Sequence, residues 1–400
     1  MRLYKTELYK LCHKKIFPIG VICILAFVLL YFFQNLLEVT STINGVEYRG
    51  YEAVRMDRRI TEEFKGPVTD EKLQQIIDRY GFPQNFRENY GFTDGNFLNM
   101  FVMQYASDGY AHDWDDYKLA TRVLPLAETD LGQSAPVTEG RFRLEYYIGW
   151  EDFTSMYHME MILISVLILC AVSPVFSEEA QTRMKLLLFT TQEGPAKDMY
   201  AKIAASFTVS AILWLTFSAF DLLLYGMIYG WDGLHCIASL VTEGRVSPFL
   251  IQDRPFGAYL IPASLLSLLG VLGLCAVTLG VSAHCRSSFH SIATAAVCWI
   301  LPVFIFLFIR PGIYQVLISF ARSHELADGS LRVLSRILFL FDCLLYSAPF
   351  YLIHEDLPME ISVMNNHSET GPFYVVIALA CFVCVLCIGK ARRRYRKDPM

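Results

Sequence analysis

Apolar residues gather along this chain in long blocks rather than on one face of amphipathic elements. Six blocks are long enough to cross a bilayer as helices: 16–37, 158–176, 203–229, 258–283, 290–309 and 372–389. About 20 helical residues span roughly 30 Å of hydrocarbon. The first block exceeds a usual signal-peptide core and no small-x-small cleavage site follows it, so it reads as a retained helix. A further block, 334–353, carries Arg336 and Asp342 and has Pro349 near its end. A central Asp costs about 2.5–3.5 kcal/mol on insertion scales. The pattern therefore predicts an amphipathic or re-entrant helix within an outer segment, 310–371, and no seventh crossing.

Composition agrees with the blocks. With 54% hydrophobic and 18% charged residues, the chain does not read as a soluble multidomain protein. The total charge decides little, but its distribution does. Arg2, Lys5, Lys10, Lys14 and Lys15 precede the first block, and Lys390, Arg392, Arg393, Arg394, Arg396 and Lys397 follow the last. Basic clusters at span ends mark the cytoplasmic side, which predicts cytoplasmic N- and C-termini and a basic cytoplasmic tail, 390–400. Beside a membrane helix, anionic lipids are the natural partner of such a tail, and nucleic acid is not expected. The fold class predicted is an all-α integral membrane protein with six transmembrane helices and an extracytoplasmic domain, 38–157, between spans one and two.

Within that domain, Thr69 is placed to cap a helix that opens with Asp70 and Glu71. Leu73, Ile76, Ile77 and Tyr80 form its apolar face, and Gly81 stops it. Tyr146, Tyr147, Trp150, Phe153 and Tyr157 read as an interfacial aromatic belt leading into the second span. At the N-terminus, Tyr4, Leu8 and Leu11 share one helical face, which suits a cytoplasmic interfacial helix over 1–15. The cysteines lie mostly within spans, so no disulfide framework is expected.

The most informative segment joins spans two and three, Phe176 to Ile203, FSEEAQTRMKLLLFTTQEGPAKDMYAKI. It resembles the corresponding loop of the type-two ABC exporter permease family. The matching positions are Glu178 or Glu179, Leu187 and Leu188, Thr190, Gly194, and Ala201 with Lys202. The run Glu7-Leu8-x-Lys10 before the first span is also typical of that family, as are six spans. Two positions depart from the pattern: Thr182-Arg183 replaces a usual Gly with Thr or Met, and Pro195 replaces an Arg. Arg183, Lys185 and Lys197 still supply basic charge. The resemblance implies that 177–202 is the coupling loop to a separate ATP-binding subunit and that the permease works beside a second permease subunit, identical or related. Substrate would pass between the two halves. Independently, Met184, Leu187, Leu188 and Thr191 can form one face of a short helix suited to docking. The chain holds no Gly-x-x-x-x-Gly-Lys-Ser/Thr phosphate loop, so ATP and Mg would be bound by the partner, with no cofactor and no catalytic residue in this chain.

Other constellations in the chain suggest rival chemistries. Glu178-Glu179-x-x-x-Arg183 and Phe320-x-x-x-His324 match the signature of CAAX-protease-like intramembrane enzymes, but the expected topology puts them on opposite sides. Gly280-x-Ser282 resembles a rhomboid element, yet the last span offers no His as base. His284, Cys285 and His290 match no standard zinc spacing, and Cys381, Cys384 and Cys387 lack a four-ligand set, so no metal is expected. Asp221 reads as the one acidic residue well inside a span, an intramembrane polar candidate. A secondary transporter would want more such residues.

Overall fold

A computed structural model describes residues 2–87, 91–111, 116–182, 194–241, 255–323, 328–353 and 371–397. The described chain is mostly helical, and six of its helices are long and apolar enough to cross a membrane. They lie at Ile16–Glu38, Ile148–Val172 with its extension Pro174–Gln181, Gly194–Ile228, Phe256–Ser282, Ser288–Phe304 with its continuation, and Gly371–Lys397. The protein is thus a multi-pass membrane protein.

The first span has no Asp, Glu, Lys or Arg before Glu38. In hydrocarbon its backbone is satisfied internally, as a helix requires. Ile24, Val28, Phe32 and Leu36, four residues apart, are buried on one stripe, while Ile22, Leu30, Phe33 and Leu37 point away from the protein. The second span is the most buried of the six and packs against the first, third and fourth. The fourth packs closely on the sixth and on the short helix Pro349–Ile353. A Cβ at Gly270 would lie 2.7 Å from Ile353 Cγ1 and 2.9 Å from its backbone nitrogen, so only Gly fits. At Gly280 the neighbour is Cys387, with a Cβ contact of 3.3 Å. That cysteine fills a helix–helix seam.

Pro174 cannot donate a backbone hydrogen bond, and the second span breaks there. The Ser173 carbonyl receives hydroxyls from Ser177 (2.9 Å), Ser282 of the fourth span (2.5 Å) and Ser291 of the fifth (2.9 Å). Ser282 Oγ also accepts from the Phe176 and Ser177 amides, at 3.0 and 3.2 Å. This serine joins the second span to the fourth.

Between the first two spans, residues 40–147 form helices Tyr51–Phe64, Asp70–Tyr80 and Phe97–Tyr105 with short antiparallel strand pairs. In the hairpin Thr40–Ile43 with Val46–Arg49, Asn44 and Gly45 both have positive φ, 52° and 79°. That is the geometry of a two-residue type I′ turn. The Asp70–Tyr80 helix is capped by Thr69, whose hydroxyl accepts from the Lys72 amide, and Leu73 and Ile76 are fully buried. Gly66–Pro67 pairs with Arg143–Leu144 and closes the region.

The aromatic belt expectation is corrected. Tyr146, Tyr147, Trp150 and Phe153 are all buried in protein. The helix already begins at Ile148, and the Trp150 indole donates to the Asp232 carbonyl at 2.6 Å. These rings join the 40–147 region to the turn after the third span. Arg58 and Lys65 also reach Asp232, at 3.0 and 3.1 Å.

The fifth span runs from Ser288 through a π-helical stretch, Ile305–Ile309, into Arg310–Ser323. There the Tyr351 hydroxyl donates to the Pro302 carbonyl. A following helix, Asp328–Tyr346, is not among the candidate spans. Its buried Asp342 accepts two hydrogen bonds from Arg310 and one from Tyr314, so the charge that weighed against insertion is matched within the fold. The same helix turns Val333, Ile337, Leu340 and Leu344 outward.

Candidate functional site

The N-terminal helix Arg2–His13 lies against the start of the third span, where Tyr4 donates to Thr208 at 3.0 Å. Beneath it sits a buried ionic cluster. Lys202, on the third turn of the third-span helix, is 1% exposed. Its ammonium donates to both Asp198 oxygens, at 2.7 and 2.6 Å, one helical turn earlier. It also pairs with Glu179 at 2.9 Å and Glu7 at 3.7 Å. From the end of the sixth span, the Tyr395 hydroxyl lies 2.8 Å from Asp198 Oδ2 and 3.1 Å from Glu179 Oε2. Its ring packs on Phe176.

Four separate segments therefore converge on one ammonium. Three carboxylates surround it, and Lys10 adds a second positive charge to Glu7 at 2.5 Å. An ion taken out of water this fully costs several kcal/mol unless its partners are well placed, and removing one partner strands the others. The cluster acts as a fastener. It ties the N-terminal helix, the second-span extension, the third span and the sixth span at one end of the bundle. A groove of about 520 Å³ opens beside it, lined by Lys10, His13, Lys14, Glu178 and Thr182 among others. Lys14 and Glu178 form an exposed ion pair across it.

Of the residues assigned to the coupling loop, Arg183, Lys185, Leu187, Leu188 and Thr190 lie outside the described residues. Gly194 opens the third-span helix, and Lys197 is exposed on its first turn. Glu178 faces outward, whereas Glu179 and Lys202 turn inward and meet. The sequence reading missed Asp198 and Tyr395. The Asp198–Lys202 pair had a visible signal, the i,i+4 spacing of opposite charges. Tyr395 had a weaker one, a lone aromatic in a basic tail.

A second constellation lies higher in the bundle. Asp221 is fully buried, and so is Glu160 of the second span. The two carboxyls are near enough to influence each other, and no oxygen of either has a hydrogen-bond partner among the described residues. Asp221 is therefore not the one acid inside a span. Glu160 is hidden in the sequence because the apolar block 158–176 puts it at the span edge. The helix in fact begins ten residues earlier.

Of the protease signature, the described members Glu178 and Glu179 are kept apart from Phe320. Ser288 lies against Gln181, and the helical run continues from there to Ser323. Phe320 is therefore about 50 Å of helix away from the Glu178–Glu179 end, at 1.5 Å per residue. His324 lies outside the described residues. No group of three or more His, Cys, Asp or Glu suited to a metal occurs among the described residues. Compared with protein-family models, with curated proteins and with solved structures, the chain matches none. The likeness to type-two ABC permeases therefore rests on residues of this chain alone.

Proposed function

We propose that this chain is the membrane permease subunit of an ABC-type exporter, working in a bacterial cell membrane. A separate ATP-binding subunit supplies the ATP and Mg chemistry, and a second permease subunit completes the substrate pathway. The end of the bundle that carries the N-terminal helix, the 182–194 connection and the basic tail faces the cytoplasm. The buried cluster around Lys202 carries this reading. A permease driven from outside the membrane needs its cytoplasmic connection fixed rigidly to several spans at once. Lys202, Glu179, Asp198, Glu7 and Tyr395 provide that fixture, immediately beside the segment that resembles a coupling loop.

Affinity purification of the tagged chain from native membranes should recover an ATP-binding protein. The chain alone should hydrolyse no ATP, since it has no phosphate loop. Replacing Leu187 and Leu188 by Asp removes apolar contact worth about 25 cal/mol per Å² and should release the partner and stop transport. ATP turnover by the isolated chain, or full transport by that double variant with its partner retained, would sink the proposal.

One observation favours a second reading, an ion-driven secondary carrier. The Glu160–Asp221 pair places two acids in low dielectric, where two negative charges repel strongly, so a proton or cation between them relieves the pair. In a carrier, Glu160→Gln abolishes transport driven by a proton gradient. In an ATP-driven permease, the same variant transports normally when ATP is supplied.

A further inference from the structure

The 40–147 region meets the top of the second span around a cavity of about 360 Å³. Six rings line it: Phe92, Phe97, Phe101, Tyr105, Tyr146 and Tyr147. Thr40, Asn96 and Gln104 add neutral polar groups, Asp57 and Glu151 add two carboxyls, and no Lys, Arg or His stands among its described lining residues. Asp57 is 4% exposed. It accepts from Ser41 Oγ at 2.6 Å and from the Phe97 amide at 3.4 Å. Both bonds fall on Oδ1, and Oδ2 takes none among the described residues. The neighbouring Arg58 is turned away, onto Asp232. Tyr146, 2% exposed, has a buried hydroxyl without a hydrogen-bond partner among the described residues.

We propose that this cavity binds a small organic cation, an alkyl- or arylammonium ion, with Asp57 Oδ2 opposite its charge and the rings around its apolar body. The chemistry is selective in sign. Aromatic faces attract cations and do so more strongly when desolvated. A buried carboxylate without a countercharge adds to that attraction. An anion would meet two carboxyls and no base, and a neutral ligand would leave the Asp57 charge unanswered. Burial pushes the Asp57 carboxyl up to about 7, with the Ser41 and Phe97 bonds pulling against it. That is the signature of an acid lacking a countercharge.

The test is isothermal titration of the full-length, detergent-solubilised chain with benzyltrimethylammonium at pH 8, beside benzyl alcohol and benzoate. Saturable one-to-one binding of the cation alone is expected. Asp57→Asn should weaken it at least tenfold. Because Asp57 also accepts from the Phe97 amide at the start of the Phe97–Tyr105 helix, Phe101→Leu serves as a second variant that leaves that bond intact, and a roughly fivefold loss is expected from the missing ring. Absence of saturable binding overturns the proposal. So does equal binding of benzyl alcohol or benzoate, or binding unchanged in the folded variants.

Discussion

Lys202→Met offers the most direct perturbation of the buried cluster. Methionine approximates the lysine stem, so packing is largely kept while the ammonium is lost. Among the described residues, Asp198, Glu179 and Glu7 would then face one another with only the Tyr395 hydroxyl and Lys10 to offset them. Asp198 and Glu7 are themselves buried. Breaking a buried ion pair by removing one partner costs about 3–5 kcal/mol, against at most about 0.5 kcal/mol for an ordinary surface substitution. Thermal unfolding of the solubilised protein should therefore show Lys202→Met far below wild type, with Lys5→Met, an exposed change on the N-terminal helix, unchanged. Adding Asp198→Asn and Glu179→Gln to Lys202→Met should recover most of the loss, because uncharged amides remove the repulsion. The recovery separates electrostatic from packing effects. If Lys202→Met unfolds within about 1 kcal/mol of wild type, the ammonium does not hold the four segments together. If the triple variant stays as unstable as the single one, lost packing is the cause.

Three further outcomes are expected. In intact cells, Glu47→Cys should react with an impermeant thiol reagent and Arg393→Cys should not; the reverse pattern inverts the orientation. The folded Asp57 carboxyl titrates near 7 against 3.8 unfolded, so the native state holds the extra proton between those values and stability falls as pH rises through that window. The full change is at most about 4 kcal/mol, read as rising protease sensitivity of the 40–147 region from pH 4 to 7, and Asp57→Asn should flatten it. Gly270→Ala places a methyl against the Ile353 backbone and should lower stability by about 1–3 kcal/mol, whereas a wild-type melting curve would show that this seam can open freely.

The sequence exposed the six apolar helices because each carries its signal within itself, as the charge-free run from Ile16 to Leu37 does. The Asp70–Tyr80 helix was legible for the same reason, its cap, apolar face and stop all being local. The start of the second span was not. Tyr146, Tyr147, Trp150 and Phe153 fit an interfacial belt and a protein core equally well by composition, and only their tertiary partners decide. That one ambiguity also hid Glu160. Asn44-Gly45 did announce its hairpin through a dipeptide that tolerates positive φ, and the reading passed over it. The ionic cluster lay beyond local reasoning, since Glu7, Glu179, Lys202 and Tyr395 come from four distant stretches and meet only when the spans pack.

The break at Pro174 has a mechanical consequence. A continuous helix transmits a push along its axis, and one with a missing rung is softer to bending at that point. Here the pivot is gripped from the side, because the Ser173 carbonyl is held by hydroxyls from the fourth and fifth spans. The Pro174–Gln181 segment is thus a short lever arm. Any tilt of it is felt by the second span above and, through the hydroxyls of Ser282 and Ser291, by two neighbouring helices. One displacement at the tip is divided among three columns of the bundle.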